Sequence, residues 1–408
     1  MNRPGSLIGG ALLITGSCVG AGMLGLPILT GLAGFGPAVI MFLIACFFMI
    51  GTGFLLVEVN GWFTKPVNLL SMVEQTLGRV GKSFCLVIYL FLFYALLVAY
   101  IAASGSICSS LVQSIFGFTI PSWLGSLFFV LLFGHVVYRG TRQVDFWNRV
   151  LMVGKILFFL SLIFVGVRQV DFFLLQRVDF SFSLYSLPIL IVSFGYHNMI
   201  PTLTTYMKGD LKKVRLSILF GSALAFFIYL AWEFLVLGIV PLGGAHGLLQ
   251  TYCQDQEGAQ ALARFVSSPW IGLLAQGLAF FAILTSFLAQ SLSFVHFFAD
   301  GFKVSHEKKE SRALCALALG PPLILSLIYP KLFFKALNFA GGICAILLFG
   351  VIPICAVWIG RYIKKTEGPY TLPGGKILLL LILLVGLFIF CMESLFMSGV
   401  LSMPIWCL

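Results

Sequence analysis

Two short polar segments, each containing glycine and proline, interrupt long apolar runs of this chain. The first is GSCVGAGMLGLP, residues 16–27, and the second is SFGYHNMIP, residues 193–201. Inside a helix, glycine costs about 1 kcal/mol and proline about 3 kcal/mol relative to alanine, so both segments favour a helix break. A break frees backbone N–H and C=O groups, which can hold a carboxylate or an ion. Both segments are therefore candidate binding sites.

The first segment also matches the dinucleotide-binding pattern G-x-G-x-x-G, at Gly20, Gly22 and Gly25. That pattern binds a pyrophosphate only where it joins a strand to a helix and an acidic residue follows about 20 positions later. No acidic residue occurs before Glu58, and no strand pattern precedes the glycines. The pattern does not indicate nucleotide binding here.

The composition places these segments in a membrane protein. Hydrophobic residues make up 60% of the 408 positions and charged residues 10%, whereas soluble domains carry about 25% charged residues. At ~20 residues for each span, the chain holds at most about eleven to fourteen spans, which leaves no room for a soluble catalytic domain. The net charge of +11 comes from basic residues in short loops. It therefore indicates membrane topology rather than nucleic-acid binding.

Apolar runs separated by charged or turn-forming clusters predict eleven membrane-spanning helices. Helices are expected because lipid offers the backbone no other partner, and the alternating polarity of barrel strands does not occur. The predicted spans are 7–31, 36–60, 83–112, 121–138, 146–167, 184–206, 214–240, 264–299, 312–329, 333–360 and 377–399.

The two glycine-rich breaks fall in the first and sixth predicted spans, which cross the membrane in opposite directions. Breaks five helices apart are what an inverted repeat of five plus five helices would produce. We therefore predict a single transporter domain over residues 1–408. Its parts are a first five-helix repeat at 7–167, a second at 184–360 and an additional helix at 377–399.

The distribution of lysine and arginine predicts the orientation. Nineteen of them lie in loops on one side of the predicted membrane and five in loops on the other. The nineteen lie on the same side as the N-terminus. Cytoplasmic loops carry the excess of positive residues, so the N-terminus is expected in the cytoplasm and, after eleven spans, the C-terminus outside.

Lys155 falls inside the fifth predicted span, about 9 residues from its start and ~13 Å deep by helical rise. A lysine at that depth costs ~3 kcal/mol, which indicates a functional position. The alternative is a lysine that snorkels to the interface or pairs structurally. Glu58, Glu233 and Glu393 are further intramembrane candidates for carrying a proton, although capping or pairing explains Glu58 and Glu393 at least as well.

Cysteine gives no sign of a metal or redox site. Eight of the ten cysteines lie in apolar runs, where they are expected to pack as small hydrophobic residues. Cys253 and Cys407 fall in loops, and no pair has C-x-x-C spacing. We expect no metal and no cofactor.

The first break, together with SFGYHNMIPTLTTYMKGDLKKVR at 193–215, resembles the bacterial hydroxy/aromatic amino acid permeases. These form the tyrosine- and tryptophan-specific branch of the amino acid/polyamine/organocation superfamily. The likeness covers the whole chain. It implies an all-α polytopic membrane protein with the LeuT-type 5+5 inverted repeat, discontinuous helices 1 and 6, and one extra helix. It also implies import of aromatic amino acids across the cell inner membrane.

Residue by residue, the resemblance implies a substrate site built from both breaks. The first break would surround the carboxylate and amine of the substrate with Ser17, Cys18, Ala21, Gly22 and Met23. The second break would contribute Phe194, Gly195, Tyr196 and His197. No particular phenylalanine can be assigned to the side-chain pocket.

The resemblance also implies an ion-coupling site. Ala282, Thr285 and Ser286 match an A-x-x-[TS]-S pattern that, with Gly16 and Val19, forms a sodium site in the sodium-coupled members of this fold. In the proton-coupled members, a lysine of the fifth span resembles Lys155 and places its ammonium where the sodium would lie. We expect that ammonium to bond carbonyls near Gly16 and Val19 and the hydroxyls of Thr285 and Ser286.

The expected function is a secondary active transporter that imports tyrosine and/or tryptophan with protons. Sodium coupling stays open because the A-x-x-T-S pattern is retained. A polytopic membrane enzyme is the alternative from another class, but H-E-x-x-H, G-x-S-x-G and D-D-x-x-D motifs are absent from the sequence. A channel would need an acidic ring or a filter segment, and neither occurs.

The orientation can be tested by labelling. Cys253 and Cys407 should both face outward, so an impermeant thiol reagent applied to intact spheroplasts should label variants that retain only one of these two cysteines. A fluorescent protein fused after Leu408 should lie outside the cytoplasm and give no cytoplasmic fluorescence. Cytoplasmic fluorescence would contradict the predicted topology.

Overall fold

The computed structural model describes residues 5–63, 67–302 and 312–401, and within these ranges it contains helices and turns but no strand. The helices are α1 (Leu7–Cys18), α2 (Gly22–Thr30), α3 (Phe35–Gly61), α4 (Leu69–Phe116), α5 (Ser122–Tyr138), α6 (Thr141–Gly166), α7 (Phe172–Leu175), α8 (Leu187–Ser193), α9 (Ile200–Tyr206), α10 (Leu211–Ile239), α11 (Leu248–Cys253), α12 (Gly258–Phe265), α13 (Pro269–Gly301), α14 (Arg312–Ile328), α15 (Phe333–Asn338), α16 (Ile352–Trp358) and α17 (Gly375–Met397). A π-helical stretch, Phe339–Val351, joins α15 to α16. The predicted all-α polytopic architecture is confirmed.

Eight helical stretches in the described residues are long and apolar enough to cross a membrane, and the bent pair α1 and α2 makes a ninth if it counts as one span. The helices α5 and α14 are also apolar but only 17 residues long. These segments coincide with the eleven predicted runs. Membrane crossing by α5 and α14 stays a prediction.

Two helix ends differ from the ends of the predicted spans. The third span was predicted from residue 83, whereas its helix α4 begins at Leu69 and changes direction at Gly78, where φ is 78°. The first part of α4 contains Glu74, Arg79 and Lys82, which lower its hydropathy, so it was not predicted as part of an apolar run. The eighth span was predicted as 264–299, whereas α12 ends at Phe265 and α13 starts at Pro269. Proline favours the first turn of a helix, where its missing N–H has no intrahelical partner to lose.

Glycines let the central helices approach closely. A Cβ added to Gly277 of α13 would lie 2.3 Å from the Phe158 ring of α6, and a Cβ added to Gly154 of α6 would lie 3.0 Å from the Phe281 ring of α13. In each of the two helices, a glycine thus leaves room for an aromatic ring of the other helix. Small residues at such interfaces are the usual basis of helix association in lipid. This contact fixes α6, which carries Lys155, against α13.

A second close contact holds α1 on α10. A Cβ on Gly221 of α10 would lie 2.6 Å from the Ala11 carbonyl oxygen of α1. The Thr15 hydroxyl of α1 donates to the Gly221 carbonyl at 2.9 Å. The helix before the first break is therefore anchored to α10.

Glu58 is paired at the end of α3 that is predicted to face the cytoplasm. The guanidinium of Arg361 donates Nε–H to Glu58 Oε1 at 2.5 Å and Nη2–H to Oε2. The backbone N–H of Leu372 donates to the same carboxylate at 2.8 Å. The side chains of Glu58 and Arg361 are 1% and 11% exposed. Pairing, rather than proton carriage, accounts for Glu58.

The helices α11 and α12, residues 248–265, cover the side predicted to face outward, and we call them the outer cap. A Cβ on Gly258 would lie 3.1 Å from the Leu24 carbonyl of α2 and 3.5 Å from the Trp232 ring of α10. The Asp255 carboxylate accepts the backbone N–H groups of Phe333 and Phe334 at 2.6 and 3.1 Å. The outer cap therefore connects α2, α10 and the start of α15.

Of the two acidic groups of the outer cap, Glu257 is buried and Asp255 is half-buried. Burial raises the pKa of Asp255 to about 6, although its two backbone N–H bonds oppose the shift. Burial also raises the pKa of Glu257 to about 8, against its bonds from the N–H groups of Ala259 and Gln260. The carboxyl groups of the outer cap thus titrate nearer to neutral pH than exposed carboxyls do.

The cysteines follow the expected pattern with one correction. The eight in apolar runs form no disulfide, whereas Cys253 is disulfide-bonded. Disulfides persist in oxidising compartments, which agrees with an outward-facing α11. Cys407 and Leu408 lie outside the described residues, as do Arg3, Lys65, Lys303, Lys308 and Lys309 of the nineteen basic residues that set the orientation.

Replacement of Arg361 should test the buried pair. Arg361→Gln leaves the Glu58 carboxylate buried without its partner, which costs about 3–5 kcal/mol of unfolding free energy. The matched control is Arg149→Gln, because Arg149 pairs with Asp145 across four residues on an exposed surface, where ion pairs contribute little. Thermal unfolding in detergent should show a large decrease in unfolding temperature for Arg361→Gln and little change for Arg149→Gln. Equal stabilities would contradict the assignment.

Candidate functional site

The first break lies between α1 and α2, whose axes bend by 61°. Helix α1 ends at Cys18 and α2 begins at Gly22. The Lys155 ammonium donates to the Val19 carbonyl at 2.7 Å, and the Ala21 N–H donates to Ser286 Oγ at 2.9 Å. Side chains of α6 and α13 thus form hydrogen bonds with backbone groups that the break leaves without helical partners.

The second break lies between Ser193, which ends α8, and Ile200, which begins α9. The Tyr229 hydroxyl of α10 lies 2.7 Å from the Ser193 carbonyl and 2.7 Å from the Cys18 carbonyl. A hydroxyl carries one hydrogen, so it donates to one of these carbonyls at a time. Tyr229 therefore connects the ends of the two half-helices, and Ser17 Oγ lies 3.4 Å from the Gly195 carbonyl beside it.

The aromatic side chains of the second break pack against α3. Phe194, Tyr196 and His197 are fully buried. The Tyr196 hydroxyl donates to the Met49 carbonyl at 2.9 Å, and His197 Nε2 lies 3.0 Å from Thr52 Oγ1. These contacts position the break, and its backbone around Gly195 is what remains accessible.

The structure brings the predicted substrate residues of the two breaks together. A Cβ on Gly22 would lie 2.8 Å from Ser193 Oγ. Ser17 is exposed, Gly22 and Gly195 are half-buried, and Cys18, Ala21 and Met23 are buried. Their assignment as substrate contacts stays a prediction.

Accessibility differs on the two sides of the breaks. Towards the predicted outer side, residues 23–34 are all buried beneath the outer cap. Towards the predicted inner side, Ser17, Asn198, Thr202 and Ser293 are exposed. The outer half is therefore the closed half of this conformation.

Lys155 reaches one of its four expected partners. Its Nζ lies at the Val19 carbonyl, and the side chain is 4% exposed. The Ser286 hydroxyl instead accepts from Ala21, and the Thr285 hydroxyl donates to the Ala282 carbonyl at 3.1 Å. Gly16 is half-buried, two residues before the break. The ion-coupling role of these residues stays a prediction.

Sequence reasoning missed Tyr229. The sequence places this tyrosine in an apolar run, and a buried tyrosine hydroxyl needs a hydrogen-bond partner, which is the available signal. Among the described residues, no group of three or more His, Cys, Asp or Glu side chains could hold a metal ion.

Comparison with known proteins identifies the family. The model of the "Tryptophan/tyrosine permease family" matches residues 3–393. The chain belongs to this family. It is 31% identical to the tyrosine-specific transport system 2 of Haemophilus influenzae, over 96% of this chain and 97% of the relative. It is 30% identical to the tryptophan-specific transport protein of Pseudomonas aeruginosa, over 94% and 93% of the two chains.

A solved structure shares the fold of this permease. The crystal structure of MhsT in complex with L-phenylalanine superposes with a TM-score of 0.64 at 14% identity, over 97% of this chain and 99% of that chain. The expected LeuT-type fold and the family resemblance are thereby confirmed. The chain is a multi-pass membrane transporter rather than an enzyme.

Substitution at Gly22 tests the site. Gly22→Leu fills the space in front of Ser193, so uptake of labelled tyrosine and tryptophan into proteoliposomes should be lost while membrane insertion is retained. The matched control is Gly320→Leu in α14, because a Cβ at Gly320 meets nothing within 4 Å. Normal uptake by Gly22→Leu, or equal loss in the control, would contradict the site.

Proposed function

We propose that this permease imports tyrosine and/or tryptophan across the cell inner membrane by proton symport. The substrate class is supported by the names of the relatives. The coupling ion is supported by one observation, the Lys155 ammonium at the Val19 carbonyl of the first break.

The chemistry of the two breaks suits a free amino acid. Helix α2 begins at Gly22, and a helix N-terminus attracts a carboxylate. Helices α1 and α8 end at Cys18 and Ser193, and their carbonyls meet at the Tyr229 hydroxyl. Helix C-termini attract a cation, so the substrate ammonium would bind on that side. One zwitterion can satisfy both ends.

The position of Lys155 suits a proton that comes and goes. Its ammonium lies at the carboxyl end of α1, where a positive charge is favourable, and no described carboxylate pairs with it. Loss of the proton would remove the positive charge and weaken its bond to Val19. Because Val19 and Ala21 belong to one break, protonation of Lys155 would control the same backbone that binds the substrate.

Sodium coupling is the second candidate, and Thr285 and Ser286 favour it. In this conformation, however, the Ser286 hydroxyl is bonded to Ala21 and the Lys155 ammonium lies at Val19. A sodium ion there would lie beside a like charge in a site shielded from water. The geometry therefore favours the proton.

The proposal is tested by uptake of labelled tyrosine and tryptophan in sodium-free proteoliposomes. One proton moving through 100 mV supplies ~2.3 kcal/mol, enough for roughly 40-fold accumulation. Wild type should concentrate substrate on a pH gradient, and Lys155→Ala should not. The variant should still exchange internal for external substrate, which controls for folding.

Three results would contradict the proposal. Accumulation that requires a sodium gradient would assign the coupling to sodium. Accumulation by Lys155→Ala on a pH gradient alone would remove Lys155 from coupling. Failure of unlabelled tyrosine, phenylalanine and tryptophan to compete with a transported substrate would exclude the aromatic class.

A further inference from the structure

A second buried ionisable group, Glu233, lies in the closed outer half and takes no part in the function proposed above. Its side chain is fully buried in α10. The adjacent Trp232 contacts the outer cap at Gly258. Glu233 Oε2 lies 2.9 Å from Thr30 Oγ1, at the end of α2. The carboxyl therefore lies where α2, α10 and the outer cap meet.

The surroundings of Glu233 favour a protonated carboxyl. Thr30 Oγ1 also lies 2.8 Å from the Leu26 carbonyl. Neither that carbonyl nor a carboxylate has a hydrogen, so the single Thr30 hydrogen can be donated to only one of the two. With that hydrogen on the Leu26 carbonyl, the contact between Thr30 and Glu233 requires a hydrogen from the carboxyl. Glu233 Oε1 has no hydrogen-bond partner among the described residues, which also disfavours a buried carboxylate.

Among the described residues, no basic group pairs with Glu233 to compensate an ionised form. The elements packed on α10 are α1, α2, α3, α6, α7 with the turn before it, α9 and α12. Their described charged groups, with those flanking α7, are Glu58, Arg142, Asp145, Arg149, Lys155, Arg168, Asp171, Arg177, Glu257 and Arg264.

The charged groups of the outer half interact elsewhere. Arg177 donates to the Gly31 carbonyl, Asp171 accepts from the Phe173 N–H, Arg264 donates to Gln254, and Arg168 is exposed. Glu257 caps α12. Glu58 and Lys155 have the partners described above. Within the part of the chain that the structure describes, none of these groups forms a hydrogen bond or ion pair with Glu233.

Burial and protonation of Glu233 are therefore linked. Transport requires the outer half to open, and opening between α2 and α10 would admit water to the carboxyl. Contact with water removes the free-energy cost of holding an ionised carboxylate in an apolar environment, whereas closure restores that cost. Closure must then take up a proton from the outside whenever the open state is ionised.

We propose that Glu233 is a proton-binding site of the outer gate, which takes up one external proton when α2, α10 and the outer cap close and returns it outside when they reopen. This site is separate from Lys155, whose proton would cross the membrane. The proposal rests on the proposed function only for the choice of tyrosine and tryptophan as test substrates.

The first test is spectroscopic and needs no substrate. Infrared spectra of wild type in lipid at neutral pH should contain the C=O stretching band of a protonated carboxyl that is absent from Glu233→Gln. The matched control is Glu74→Gln, because Glu74 is a half-exposed carboxylate paired with Lys82. Thr30→Val should shift the band, since it removes the hydroxyl that accepts the carboxyl hydrogen. Identical spectra for wild type and Glu233→Gln would overturn the proposal.

The second test is exchange of labelled for unlabelled substrate with the internal pH clamped. Closure that binds one proton makes the closed-to-open ratio fall about tenfold per unit of external pH once the open state is ionised. Wild-type exchange should therefore slow as the external pH rises. Glu233→Gln, neutral at every pH, should slow less steeply and keep only the dependence that Lys155 contributes, whereas an equally steep dependence would overturn the proposal. Glu74→Gln should retain the wild-type dependence.

The possible failures are distinguishable. Dependence that survives undiminished in Glu233→Gln but weakens in Asp255→Asn would assign it to the outer cap and overturn the proposal. Absence of exchange with both substrates in wild type would contradict the proposed function, while the infrared band would still decide the state of Glu233.

Discussion

The structure depends on one constraint: backbone groups released inside a membrane must find partners without water. Each unsatisfied group would cost several kcal/mol in lipid. Two breaks release such groups, and neighbouring helices supply the partners. Ser286 accepts from Ala21, Lys155 donates to Val19, and Tyr229 lies between the carbonyls of Cys18 and Ser193. The positions of α6, α10 and α13 follow from this requirement, since each must bring one side chain to the breaks.

The same partners make the breaks responsive. A hydroxyl with two acceptors at equal distances can change its bond at little cost, as Tyr229 can between α1 and α8. An ammonium that bonds a carbonyl can lose its proton, which weakens the bond. A valine or leucine at the same position would have neither the proton nor the bond. A binding site held by exchangeable bonds can rearrange without unfolding, which is what alternating access requires.

Much of this arrangement could be predicted from local sequence. Glycine and proline in apolar runs located both breaks, and the depth of Lys155 in its span predicted a buried lysine, because each signal lies within one segment. The partners could not be predicted, since Thr30 and Glu233 are 203 residues apart and meet only through packing of α2 on α10. The start of α4 was missed because Glu74, Arg79 and Lys82 lower its hydropathy. The outer cap was missed because its helices of 6 and 8 residues are too short for a spanning run and lie almost entirely between the predicted spans 214–240 and 264–299.

The two intramembrane groups Lys155 and Glu233 differ in a way that separates their roles. Lys155 bonds the first break itself, so loss of its charge would weaken a bond to the backbone that is proposed to hold the substrate. Glu233 bonds the far end of α2, beneath the outer cap, and its burial depends on closure of that half alone. In the proposed cycle, a proton on Glu233 returns to the side from which it came, because the outer half is the part that opens around it. Helix α2 therefore has an ionisable group near each end, Lys155 at the first break and Glu233 beneath the outer cap.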